Sequence, residues 1–171
     1  MNGPTPELLH FLAHACELEE EAHDRYTELA DALDAHNNTE VAGFFRAMAE
    51  ESSRHLAEVS LIAAGLELPT LKAWEYDWPG TEAPESASHE AAHYRMTVRE
   101  AMELALAQER SAGAFYRARS EQAKDEETRR LAAEFADEEA EHAERLALRL
   151  QDLPLVSEVE REDDDPPHMP E

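Results

Sequence analysis

Apolar residues recur at spacings of three and four through four long stretches of this 171-residue chain, which is the signature of amphipathic helices packed face to face. The first stretch runs from about Pro6 to His36 and places Leu8, Leu12, Ala15, Ala22, Tyr26, Leu29 and Leu33 on one stripe. The turn His36-Asn37-Asn38 ends it, and Thr39 is the expected N-cap of a second helix reaching about Leu66. That helix turns Val41, Phe44, Phe45, Met48, Leu56, Val59 and Ile62 inward. A third is expected to start between Ser88 and Tyr94 and to end near Gln122, burying Met102, Ala105, Leu106, Ala112 and Tyr116. The fourth follows a cap at Asp125 and carries Leu131, Phe135, Leu146 and Leu150. Only five glycines interrupt a chain of this length, which favours helix over sheet.

Between the second and third helices, Pro69, Pro79 and Pro84 break any helix in the segment Leu66 to Ser86. Its aromatic cluster Trp74, Tyr76 and Trp78 is expected to cover one end of the core, and a connection this long can carry the chain from one end of a bundle to the other. Residues 5–152 then form one four-helix domain, and the acidic, proline-containing tail 153–171 is expected to be disordered.

The two halves repeat one another. Glu19 precedes Tyr26 by seven residues and His55 follows on the next helix; Glu109 precedes Tyr116 by seven and His142 follows on the next. Positions seven apart share a helix face, so Glu19 and Glu109 fall inside apolar stripes. On the fourth helix Phe135, Glu139, His142 and Leu146 share a face; Met48, Ser52, His55 and Val59 repeat that rhythm on the second. Five ionisable groups therefore point at the bundle axis. Burying carboxylates together without compensation costs several kcal/mol, about the size of a whole domain's stability margin. No lysine lies in these stripes to neutralise them, whereas two divalent cations would. Oxygen and imidazole donors suit iron, manganese or zinc.

At these residues the chain resembles the ferritin-like di-iron carboxylate superfamily, especially its rubrerythrin-type members, over roughly residues 8 to 152. The superfamily's ligand pattern is one Glu from each of two helices and a Glu-x-x-His from each of the other two. The resemblance implies an all-α, ferritin-like bundle of two helical hairpins joined by a long crossover. It implies Glu19 and Glu109 as the single-Glu ligands, Glu139 and His142 as one complete Glu-x-x-His, and His55 as the histidine of the other. Ser52 stands where that second motif has its Glu. Glu51, one residue earlier, is the expected substitute; an asymmetric site with Ser52 or water near one metal, or a single metal, are the alternatives. His23 is expected to hydrogen-bond a ligand; Tyr26 and Tyr116 are expected to supply hydroxyls around the ligands or electrons to an oxidised centre, with core packing alone as the alternative. His10 with His14, and His89 with His93, are spaced four apart and read as exposed pairs.

The function so implied is redox chemistry at two iron ions with peroxide or dioxygen, with manganese or zinc as other possible occupants. A non-catalytic iron-handling protein and a metal-free interaction module are the competing readings. Rubrerythrins proper also carry a cysteine-ligated iron domain and a further Glu three residues after the third-helix ligand. Here one cysteine, Cys16, cannot supply four thiolates, and Ala112 occupies that further position, so electrons would come from an external donor. A net charge of −25 excludes electrostatic capture of nucleic acid or anionic lipid and favours cations. No stretch is long and apolar enough to span a membrane and the first residues lack a signal-peptide pattern, so a cytoplasmic location is expected. The resemblance implies a homodimer, since small bundles of this type commonly pair through an outer helix face.

Overall fold

The computed structural model describes residues 3–71 and 95–154. The aromatic cluster of the crossover, the pair His89 and His93, and nearly all of the acidic tail lie outside them. Among the described residues four helices make up the fold: α1 Pro6–Ala35, α2 Thr39–Ile62, α3 Val98–Gln122 and α4 Glu126–Asp152. Each start has a local cause. Thr5 accepts a hydrogen bond from the Leu8 amide at 3.1 Å, and Pro6 takes the first helical position, where its missing N–H costs nothing. Asp125 caps α4 by accepting from the amide and the hydroxyl of Thr128 at 2.9 and 2.7 Å.

α1 stops in a Schellman turn. The Asn38 amide donates to Leu33 O, the Asn37 amide donates to Asp34 O, and Asn37 takes the left-handed conformation at φ 63°. The chain reverses there, and α1 and α2 pack as one hairpin while α3 and α4 form the other. Asn38 also donates its side-chain amide to Met96 O at 2.8 Å, which places the α1–α2 turn at the same end of the bundle as the start of α3. At the opposite end, Glu7 accepts from the amides of Lys124 and Asp125 at 2.9 and 2.8 Å, pinning the start of α1 to the α3–α4 turn. The end of α2 and the start of α3 therefore lie at opposite ends of the bundle, and the architecture is the expected ferritin-like one.

Three helix boundaries differ from the sequence expectation. The cap of α2 is Asn38, without a side-chain hydrogen bond to the helix, and Thr39 is the first helical residue. α2 ends at Ile62 rather than near Leu66, because Gly65 adopts φ 79° and the chain turns away. Ile62 is accordingly exposed rather than inward. α3 begins at Val98, where the Thr97 hydroxyl accepts from the Glu100 amide at 3.1 Å and sets the cap.

The interior divides into two apolar clusters. One gathers Tyr26, Leu33, Phe45, Met48, Ala101 and Leu146; the other gathers Leu12, Leu18, Val59, Tyr116, Leu131 and Phe135. His14, expected at the surface, is buried against Phe115 with the rings 5.9 Å apart; the apolar stripe of α1 is wide enough to take it in. Between the two clusters the helices present polar side chains to one another.

Candidate metal centre

Glu19, Ser52, Glu109 and Glu139 are all buried at mid-height, one on each helix. Each lies inside an otherwise apolar stripe, so the packing that makes the helices form also forces these groups inward. His55 and His142 stand one turn beyond Ser52 and Glu139, with 14% and 11% of their side chains accessible. Their rings stack with centroids 4.8 Å apart.

The carboxylates divide between the two imidazoles. His55 Nδ1 lies 3.5 Å from Glu19 Oε1 and 3.3 Å from Glu139 Oε1. His142 Nδ1 lies 3.6 Å from Glu109 Oε2 and 3.9 Å from Glu139 Oε2, while its Nε2 lies 3.0 Å from Glu51 Oε1. Glu139 thus offers one oxygen to each imidazole. Two lobes result, one of Glu19 and His55, the other of Glu51, Glu109 and His142, with Glu139 between them. One donor atom from each of His55, Glu139 and His142 falls within 4.8 Å of the other two.

Glu51 reaches the centre, as expected, yet it faces the histidine of α4 rather than the one on its own helix. Ser52 contributes to the cavity wall between the lobes. Tyr116 donates its hydroxyl to Glu19 Oε1 at 3.2 Å. Tyr26 holds the corresponding place on α1, but its buried hydroxyl has no hydrogen-bond partner among the described residues. His23 does not turn to the carboxylates: its Nδ1 lies 2.9 Å from Ala49 O, which binds it to the α2 backbone. Two acidic residues that helix periodicity does not single out, Glu58 and Glu138, also converge on His55. Their signal lay in three-dimensional packing between α2 and α4, because each falls off the apolar stripe of its own helix.

Electrostatics follow from this crowding. Burial pushes the Glu139 carboxyl up, His55 pulls it down, and Glu109 pushes it up again; the outcome is a value of about 9. Burial disfavours the charged form of His55, but Glu139 and Glu19 outweigh it and hold the imidazole up at about 11. His142 is raised to about 9, chiefly by Glu109 and Glu51, against burial. Glu51 is lowered by its contact with His142. Without metal the centre therefore neutralises its carboxylates with protons, on the two imidazoles and on Glu139.

The donor set fits bound metal. Among the described residues, the basic partners of Glu19, Glu109 and Glu139 are only the two imidazoles, which are themselves metal ligands when neutral. Among the described residues, His142 Nδ1 is buried without a hydrogen bond, a ligand atom aimed at carboxylates. A small cavity of about 10 Å³ lies among Glu19, Glu51, Ser52, His55, Glu109, Glu139 and His142. On the outer face of the α3–α4 hairpin a groove of about 550 Å³ descends to Glu109 and Glu139.

Comparison with known proteins agrees with this architecture. No curated protein matches the chain. Among solved structures, an uncharacterized conserved protein from Magnetospirillum magnetotacticum MS-1 is similar, with 40% sequence identity and a TM-score of 0.68 over 88% of this chain and 97% of that one. A model of the rubrerythrin family matches residues 10–92 and 100–168, which takes in all four helices and every carboxylate and imidazole of the centre. The chain belongs to the rubrerythrin family.

Proposed function

We propose that the centre binds two metal ions, iron by preference, and that the protein carries out redox chemistry with peroxide or dioxygen. The observation that supports this reading most is the placement of Glu139, whose two oxygens face different imidazoles, each backed by further carboxylates. A carboxylate so placed can bridge two cations. Glu19, His55 and Glu139 would hold one; Glu51, Glu109, His142 and Glu139 would hold the other. Manganese or zinc fits the same donors.

Bound iron would supply reversible one-electron chemistry. The chain's own contributions are distinct. The carboxylates compensate the charge of the ions, and the apolar clusters above and below keep bulk water out and strengthen every polar contact between them. Tyr116 fixes the orientation of Glu19 through its hydroxyl. The groove on the α3–α4 hairpin gives a small oxidant a route to Glu109 and Glu139. With one cysteine in the sequence, reducing equivalents come from a separate donor. No helix among the described residues is long and apolar enough to cross a membrane, and a cytoplasmic homodimer is part of the same proposal.

Elemental analysis of protein expressed with ample iron tests the binding. Wild type should hold about two ions per chain, E19A about one, and E139A fewer than one, because removing the bridge weakens both lobes. Equal metal content in wild type and E139A would refute the bridging role. Rapid mixing of the ferrous protein with peroxide and then with oxygen tests the chemistry. Unreactive ferrous protein would leave a metal-binding protein without turnover.

A further inference from the structure

The internal repeat supplies a comparison that neither half offers alone. Glu51 and Glu138 occupy corresponding positions, four residues before His55 and His142 respectively. Each is placed beside the histidine of the opposite helix: Glu51 reaches His142, and Glu138 converges on His55. Three residues after each histidine the halves diverge. After His142 comes Arg145, whose guanidinium lies 4.0 Å from Glu51 and sets a positive charge over that side of the core. After His55 comes Glu58, so the matching position carries a carboxylate instead.

His55, Glu58 and Glu138 bring one donor atom each within 4.8 Å of the others, and Glu58 is exposed while Glu138 and His55 are half-buried. Neither Glu58 nor Glu138 has a lysine or arginine partner among the described residues. A second cavity of about 10 Å³, room for about one water, is lined both by these outer carboxylates and by Glu19 and Glu139 of the core. The outer cluster and the inner centre thus border one continuous space.

We propose that His55, Glu58 and Glu138 form an entry site that captures a divalent cation from solvent and passes it to the core. This rests on the core being a metal centre. A neutral imidazole has one lone pair, and His55 Nδ1 already faces Glu19 and Glu139. His55 therefore holds an outer or an inner cation but not both, which makes it the point of hand-off. The side carrying Arg145 repels cations; the side carrying Glu58 admits them.

Uptake of Co2+ by metal-free protein, followed by its visible absorption after rapid mixing and by final stoichiometry, tests this. Focusing by local charge changes capture rates by about 10-fold or more, so E58Q/E138Q should load at least about tenfold more slowly and reach the wild-type endpoint. The control E50Q/E141Q removes two exposed charges on the same helices and should load at the wild-type rate. Unchanged uptake in E58Q/E138Q, or equal slowing in the control, would overturn the entry role while leaving the core centre intact. A lowered endpoint in E58Q/E138Q would overturn it too, since the residues would then be core ligands. If the double variant unfolds, E58Q alone should slow uptake, and no slowing refutes the proposal. Wild-type protein that takes up no Co2+ would remove the metal-centre reading itself, and this one with it.

Discussion

Tyr26 and Tyr116 stand at corresponding places in the two halves, are almost fully buried, and differ in one hydrogen bond. Tyr116 donates to Glu19; the Tyr26 hydroxyl finds no acceptor among the described residues. Deleting a satisfied buried hydroxyl costs about 1.5–3 kcal/mol when its partner is a charged group, whereas deleting an unsatisfied one is near neutral or favourable. In metal-free protein, Y116F should therefore lower the free energy of unfolding by about that much, and Y26F should leave it unchanged or raise it. Chemical denaturation in the presence of a chelator measures both, and equal losses would show that the two hydroxyls are not distinguished in this way. The same pair shows what was legible at this scale. The seven-residue interval between Glu and Tyr was enough to place Glu19, Glu109 and both tyrosines inward. It said nothing of which hydroxyl finds a partner, because that depends on ångström-level offsets between α1 and α3. Glu51 was legible as a residue able to reach the centre. Its partner His142 was not, since helix periodicity describes one helix at a time and the contact is made across to another.

Among the elements, α2 carries the clearest departure from good helix chemistry. Gly43 lies within its first two turns, exposed, with nothing within 4 Å of where a Cβ would stand. Glycine there surrenders more backbone freedom on folding than alanine and gains no contact for it, a difference of about 0.5–1 kcal/mol. G43A should raise the stability by that amount without altering metal content, read by denaturation and elemental analysis; a loss of stability would mean that another chain or segment packs against this face. Helix identities and lengths were readable because four strongly periodic stripes leave little choice of secondary structure. The ends were less so. The stop of α2 is set by the left-handed backbone at Gly65, and the start of α3 by the Thr97 hydroxyl, and in both cases the apolar pattern continued beyond the residue whose local geometry decides. His14 was misplaced for a related reason: a stripe wide enough to face two neighbouring helices takes in a residue that a narrower one would leave outside.

For the molecule as a whole, protons and cations compete for one centre, and the pH dependence of stability follows with a definite sign. His55 and His142 are raised in the fold to about 11 and about 9, so their stabilising contribution is complete below their ordinary value near 6.5 and is lost as pH rises through the folded values. Glu139, raised to about 9, keeps its proton in the fold at pH values where the unfolded chain has released it, so its effect runs the same way, from about 4.5 upward. Glu51 is lowered and acts oppositely, contributing above its ordinary value near 4.5 and failing only on acidification. Between pH 6 and 9 the first three prevail, and metal-free protein should lose on the order of 2 kcal/mol or more. The charge of −25 adds general repulsion of the same sign, but 0.5 M salt screens exposed charges far more than buried ones. The part of the slope that survives salt therefore reports the centre. Divalent cations displace the bound protons, so their affinity rises with pH as the protons become easier to remove. Saturating Zn2+ should accordingly flatten or reverse the slope, and urea unfolding at pH 6 and 9, with chelator and with Zn2+, separates the two curves. A metal-free stability that does not fall with pH in high salt would mean that the buried carboxylates are not held by protons, and the argument for cations in their place would lose its physical basis.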